Sequence, residues 1–197
     1  MKPERDESSR RALSDAAKNW LAMDGLWFQA VEQVYGMDTA LALDRNVWSQ
    51  FAVMEVRRIK ERLSLPEKGG LEALKIAFKN RLVSLLNKIE ILHPVEKTLI
   101  VTIKTCRVQS ARERKSMLQF PCKSVGLVEF TVFARTIDAR IMTQCLLCPP
   151  DTLSGITCCS WKFTLDKERD ISRDHNVKKA GNRFCKTRVR KQSPASL

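Results

Sequence analysis

The 197-residue sequence predicts an α+β fold, in which an N-terminal helical hairpin and a third helix pack on a small, mainly antiparallel sheet with one further helix. Three observations carry this prediction. From Ser14 to about Ile89, apolar residues recur at helical spacing. A strand-like run starts at Thr98, and from Ile100 the period drops to two. Beyond that point strand-like runs are interrupted by one helical stretch, so the order reads ααα, β, α, ββ, with no internal repeat.

Residues 1–13 are charged and carry no apolar period, so they are expected to be a flexible leader. Ser14 is the expected cap of the first helix. Its stripe is Ala17, Trp20, Asp24, Trp27, Val31 and Val34, widened by Phe28 and Tyr35, and Gly36 closes it. Asp38 is the expected cap of the second helix, whose face is Leu41, Trp48, Phe51, Ala52, Glu55, Ile59 and Leu63. The short joint implies a steep helix pair. Gly25 lies mid-helix, where it costs roughly 1 kcal/mol relative to Ala, which suggests close approach by another element. Asp24 and Glu55 fall on apolar stripes. They are either an ion pair, with Arg57, Arg58 or Arg62 as partner, or polar groups lining a ligand pocket.

Leu65-Pro-Glu-Lys-Gly-Gly is a loop. Leu71 to about Ile89 reads as a third helix, broken by Leu92-His-Pro. Thr98–Cys106 is a strand, rich in β-branched residues. Gln109–Lys115 is a short helix or a surface loop. A helix follows Phe120-Pro121, from about Lys123 to Thr136. Ile141–Cys148 and Cys158–Leu165 are the last two strands, joined by a hairpin-like loop. One domain, 14–165, results.

The net charge of +13 is unevenly spread. From Asp166 onward there are 10 Lys/Arg against 4 Asp/Glu, so +6 of the excess sits in a basic tail, 166–197, expected to be disordered. Such a tail, helped by Arg112-Glu-Arg-Lys115, would give weak, non-specific nucleic-acid binding through phosphate contacts. No base-reading motif accompanies it. No apolar run approaches the roughly 18 residues of a membrane span, and no signal-peptide core precedes the first helix. A cytosolic, thiol-reducing location is expected, with no membrane partner.

Five of the seven cysteines lie between Phe120 and Phe163, including the one Cys-x-x-Cys, Cys145/Cys148. Three readings stand side by side. The cysteines are small core residues; or Cys122, Cys145, Cys148 and Cys159 bind zinc; or Cys122 is a nucleophile. On a regular strand Cys145 and Cys148 face opposite ways, unless the strand ends or bulges near Cys148. Cys122 falls at a helix N-terminus beside Lys123, where the dipole favours a thiolate. A Cys–His pair is hard to build, because His93 and His175 are the only histidines.

Trp20-Leu-Ala-Met-Asp-Gly-Leu-Trp-Phe28, Phe120-Pro-Cys-Lys-Ser-Val-Gly126, Ile137-Asp-Ala-Arg140, Cys145-x-x-Cys-Pro-Pro-Asp151 and Cys159-x-Trp-x-Phe163 resemble a family of bacterial cytosolic proteins of unknown function over roughly residues 14–165. The resemblance implies an α+β fold similar to L-2-amino-thiazoline-4-carboxylate hydrolase-like proteins, and more loosely to vinyl-reductase-type small-molecule-binding domains. It leaves the reaction open. The loop after Pro-Pro-Asp lacks the histidine often seen there, which weakens a four-ligand metal site.

The functional expectation is a small-molecule-binding or sensing domain. Its pocket would lie between the tryptophan-bearing helix pair and the sheet, with Asp24, Trp27, Glu55, Arg107 and Lys123 as ligand contacts and the cysteines as its floor. The alternatives are a thiol-dependent hydrolase with Cys122 as catalytic residue and Lys123, Arg107 or Arg112 as anion stabilisers, and nucleic-acid binding through the tail.

Overall fold

A computed structural model describes residues 3–95, 97–151 and 158–166. The basic tail beyond 166 and most of the loop between the last two strands lie outside the described residues. Five helices and four strands follow in the order α1 (Pro3–Tyr35), α2 (Met37–Leu63), α3 (Gly70–Lys79), β1 (Lys88–Val95), β2 (Thr98–Thr105), α4 (Arg107–Arg114), α5 (Lys123–Ile137), β3 (Ile141–Leu147) and β4 (Cys159–Leu165). The strands form one antiparallel sheet in the order β1-β2-β4-β3. The fold is α+β, with α1 and α2 as the N-terminal hairpin.

The sheet turns one face to the helices. Cys159, Trp161 and Phe163 alternate inward along β4, opposite Ile103, Val101 and Leu99 of β2. Phe78 of α3 gathers the rings over them, lying 5.0 Å from Phe133 and 5.3 Å from Phe163. Offset aromatic contacts of this kind add to plain area burial. Gly126 lets α5 sit directly on Trp161, because a Cβ there would lie 2.7 Å from the indole Cζ2. Gly126→Ala should therefore lower the melting temperature. The forced shift costs about 1–3 kcal/mol, against roughly 1 kcal/mol regained in helix propensity. A rise in melting temperature would show that α5 can slide at no cost.

The start of α3 is tied to the end of α5 by buried Asp138. Its carboxylate accepts from the Gly70 amide at 3.1 Å and from Arg140 Nε and Nη2 at 3.0 and 2.8 Å.

Four elements differ from the sequence reading. α1 begins at Pro3, so the charged leader is helical and Ser14 lies inside the helix rather than capping it. Glu7–Arg11 and Asp15–Lys18 pairs along this exposed stretch supply the side-chain support that its missing apolar stripe does not. Gly36, at φ +82°, occupies the N-cap of α2, and Asp38 falls in the first turn. The third helix stops at Lys79, where Asn80 Nδ2 donates back to the Ile76 carbonyl at 2.9 Å. A 3-10 turn, Val83–Leu85, then leads into β1, a strand that the helical reading had absorbed. Within it Ile89 and Ile91 pack on the core, while Glu90 and Leu92 face out. His93 and Pro94 fall at a register shift inside this strand instead of breaking a helix.

Trp27 is also misassigned by the stripe. It is 68% exposed, on an outer face with Met23, Leu26 and Val34. The inward face is rotated by a fraction of a turn, through Ala17, Trp20, Leu21, Asp24, Phe28 and Glu32. Tyr35 points away as well.

Candidate functional site

Between the α1–α2 hairpin, α5 and the sheet lies a cavity of about 410 Å³. Trp20 and Phe28 of α1, Trp48 of α2, Phe130 of α5, and Val101 and Trp161 of the sheet give it apolar and aromatic walls. Basic side chains, Lys18, Arg107, Arg114 and Lys115, also line it, Lys18 being paired with Asp15 and Lys115 bonded to Gln29, and two further polar regions interrupt the walls.

The first region is acidic. Asp24, Asp44 and Glu129 come from three different helices and line the same space. Burial pushes the Asp24 carboxyl up. Burial, reinforced by the charges of Asp24 and Glu129, pushes Asp44 up to about 7, and an indole N–H from Trp48 opposes that. Arg81 answers these acids. It is 3% exposed, and its Nη2 lies 2.8 Å from Glu129 and 2.9 Å from Glu55. Burial works against its charge, but the two carboxylates outweigh it and hold the guanidinium protonated. Its carbon lies 4.5 Å from the centre of the Phe133 ring. Arg81 is thus consumed by Glu55 and Glu129, which leaves Asp24 and Asp44 facing the cavity without an ion-pair partner among the described residues.

The second region is a row of thiols. Cys122 Sγ lies 3.6 Å from Cys148 Sγ, and Cys159 is buried in the same core cluster. All three line the cavity, as does Cys106. The Cys148 thiol, donating to Cys122, holds Cys122 below the ordinary thiol range, although burial opposes this. The same bond pushes Cys148 up. Gln109 Nε2 donates to the Phe120 carbonyl at 2.8 Å and reaches Cys122 Sγ at 3.7 Å, which fixes the entry to α5. Burial raises Cys106 to about 12.

A bulge explains how Cys148 joins this row. β3 shifts register between Cys145 and Leu147 and ends there. The extra residue reverses the parity that a regular strand would impose. Cys148 is buried as a result, while Cys145 stays half-buried and off the cavity lining.

The predicted contacts separate into two groups. Asp24, Arg107, Cys122, Cys148 and Cys159 come together around the cavity. Trp27, Glu55 and Lys123 do not line it. Glu55 pairs with Arg81, 26 residues away, rather than with Arg57, Arg58 or Arg62, which share its helix. Lys123 Nζ clasps both Asp151 oxygens at 2.8 and 2.9 Å and holds the turn after Cys148 against α5. Arg112 is unavailable to an anion or to a nucleic-acid phosphate. It is 4% exposed and grips Glu32 with two bonds, at 2.6 and 2.8 Å. His93 faces Glu72, with 3.1 Å between Nδ1 and Oε1, away from the thiols. Among the described residues, no three His, Cys, Asp or Glu side chains converge as a metal-ligand set. Of the four cysteines whose spacing suggested zinc, Cys122, Cys148 and Cys159 line the cavity and Cys145 does not. No helix among the described residues is long and apolar enough to cross a membrane.

Asp44, Arg81 and Glu129 are absent from the sequence reading. A signal existed for two of them. Asp44 lies three residues after Leu41 and four before Trp48, and Glu129 lies midway between Val125 and Phe133. Both are carboxylates on an apolar stripe, as Asp24 and Glu55 are. Arg81 carries no such signal.

A family model covers residues 5–165 of the sequence, which spans every strand and helix that shapes the cavity. The chain belongs to DUF6125, a family of unknown function. No curated protein and no solved structure matches it. For this DUF6125 member the cavity is thus the starting point for function. Gly25, the mid-helix glycine, lines it. No element packs closely there: a Cβ at Gly25 would meet only Gln29 Nε2, at 3.9 Å. The expected close neighbour is replaced by open space.

Proposed function

We propose that this protein is a small-molecule-binding domain whose ligand is a compact, largely apolar molecule bearing a protonated amine. The observation that supports this most directly is Gly25. A glycine inside a helix is destabilising, and here no neighbouring atom requires it. What it leaves free is cavity volume. The aromatic walls suit an apolar body, and Asp24 and Asp44, whose charges Arg81 leaves unanswered, suit a cationic group. The resemblance to small-molecule-binding proteins noted from the motifs points the same way.

The test uses thermal shift and ligand-observed NMR with a panel of small aromatic and aliphatic amines, alongside neutral and carboxylate analogues. Gly25→Leu is the control. Its side chain should fill part of the cavity, and the helix should gain up to about 1 kcal/mol. The variant is expected to melt higher than the wild type and to lose amine binding. A panel that binds nothing, or amine binding that persists in Gly25→Leu, would end the proposal.

A second reading has its own support: Cys122, at the N-terminus of α5 and on the cavity wall, acts as a thiol nucleophile toward the bound molecule. Mild alkylation at pH 6–7 tests this. Cys122 should react faster than an ordinary exposed thiol, and a rate no greater than that would dismiss the nucleophile.

A further inference from the structure

We propose that Cys122 and Cys148 form a reversible oxidation site, at which a small hydroperoxide converts the two thiols into a disulfide. The sulfurs lie 3.6 Å apart, in direct hydrogen-bond contact, with no atom between them to be displaced. The chains that carry them are also tied side by side. The Lys123 amide donates to the Pro149 carbonyl at 2.9 Å. Asp151, held by Lys123, accepts from the Cys148 amide at 3.2 Å and returns its own amide to the Cys148 carbonyl at 2.9 Å. Disulfides form where two backbones are already close, and here the Lys123–Pro149 backbone bond and the Lys123–Asp151 ion pair keep them so.

Exposure assigns the order of events. Cys122 lines the cavity and is partly exposed, at the N-terminus of a 15-residue helix. Cys148 is 1% exposed, behind it. The Cys122 thiolate attacks one peroxide oxygen, and the O–O bond breaks. The departing hydroxide or alkoxide takes a proton and leaves as water or alcohol, with Cys122 as sulfenic acid. Cys148 then attacks the Cys122 sulfur and displaces hydroxide, which leaves as water with the Cys148 proton. Two thiols lose two electrons, and the peroxide gains them. The disulfide would fasten the turn after β3 to α5 and remove two thiols from the cavity wall. The proposal does not depend on the cavity taking a ligand.

The test treats the full chain with a few equivalents of hydrogen peroxide, blocks remaining thiols, and maps tryptic peptides without reduction, locating the bridge by fragmentation. A Cys122–Cys148 bridge that dithiothreitol reverses is expected, formed at least roughly tenfold faster than oxidation of Cys106 or Cys158, given their burial and raised thiols. Cys145→Ser should leave the bridge intact. In Cys148→Ser, Cys122 should stop at the sulfenic acid and be captured by dimedone. A bridge from Cys148 to Cys145 or Cys159, accumulation of Cys122 sulfinic acid without a bridge, or two thiols that stay reduced would each overturn the proposal. The wild-type measurement alone decides between these, should either variant fail to fold.

Discussion

Arg81→Met is expected to destabilise the protein by about 3–5 kcal/mol, the cost of removing one partner from a buried ion pair. For a domain of this size that is a large share of a total stability of about 5–15 kcal/mol. The reason lies in what stays behind. Glu129 and Glu55 would keep their positions against the core without the guanidinium that now lies 2.8 and 2.9 Å from them. Met would fill part of the space beside Phe133, so lost packing is the smaller loss. Urea denaturation at pH 7 measures the effect. A second substitution separates the causes: Arg81→Met combined with Glu129→Gln should recover a substantial part of the loss, because one stranded carboxylate is gone. If the double variant is as unstable as the single, uncompensated charge is not what Arg81 answers.

Asp44→Asn should act in the opposite direction and depend on pH. The Asp44 carboxyl moves from 3.8 to about 7 on folding, through burial first and then the nearby charges of Asp24 and Glu129. The native state therefore holds this proton more tightly than the unfolded chain. Below about pH 4 both states are protonated, and Asp44 costs nothing. As pH rises from about 4 to 7 the unfolded chain releases the proton first, so wild-type stability falls across that window and levels off above it. Asn removes the loss. The variant should match wild type near pH 4 and exceed it at pH 8 by on the order of 1–3 kcal/mol, a figure reduced from the full shift because Asp44 is partly exposed. Melting temperatures across pH 4–8 check it, and a constant difference at all pH values would refute the linkage. On the proposed function the same variant should bind amines more weakly. It would then be more stable and less functional, the usual trade at a site whose groups are held against their preferred state.

These two expectations rest on residues that were legible in the sequence to different degrees. The helix hairpin, β2, α5, β3 and β4 could be read directly, because each is a run whose apolar period is 3.6 or 2 and whose ends carry Gly, Pro or a bend. Asp24 and Glu55 stood out as carboxylates on apolar stripes, and Asp44 and Glu129 satisfy the same criterion. The cysteine cluster was visible as a cluster, and Cys122 as a helix-start thiol. β1 was not visible: residues 82–89 fit a continued helix by period, and a strand needs a partner before it has any advantage.

The sequence by itself determined the α+β class, the positions of most elements and which side chains were chemically out of place, since periodicity and burial preference are local properties of the chain. Only the tertiary structure decided how those side chains meet. Arg81 reaches Glu55 and Glu129 from a turn that no local pattern marks, because an ion pair between three segments depends on where their backbones pass. Trp27 points outward because the rotation of α1 is set by what α2 and the segment around Phe120 offer it, not by its own stripe. Cys148 joins Cys122 and Cys159 because β3 bulges after Cys145, and a single inserted residue in a pairing register reverses which face a side chain takes.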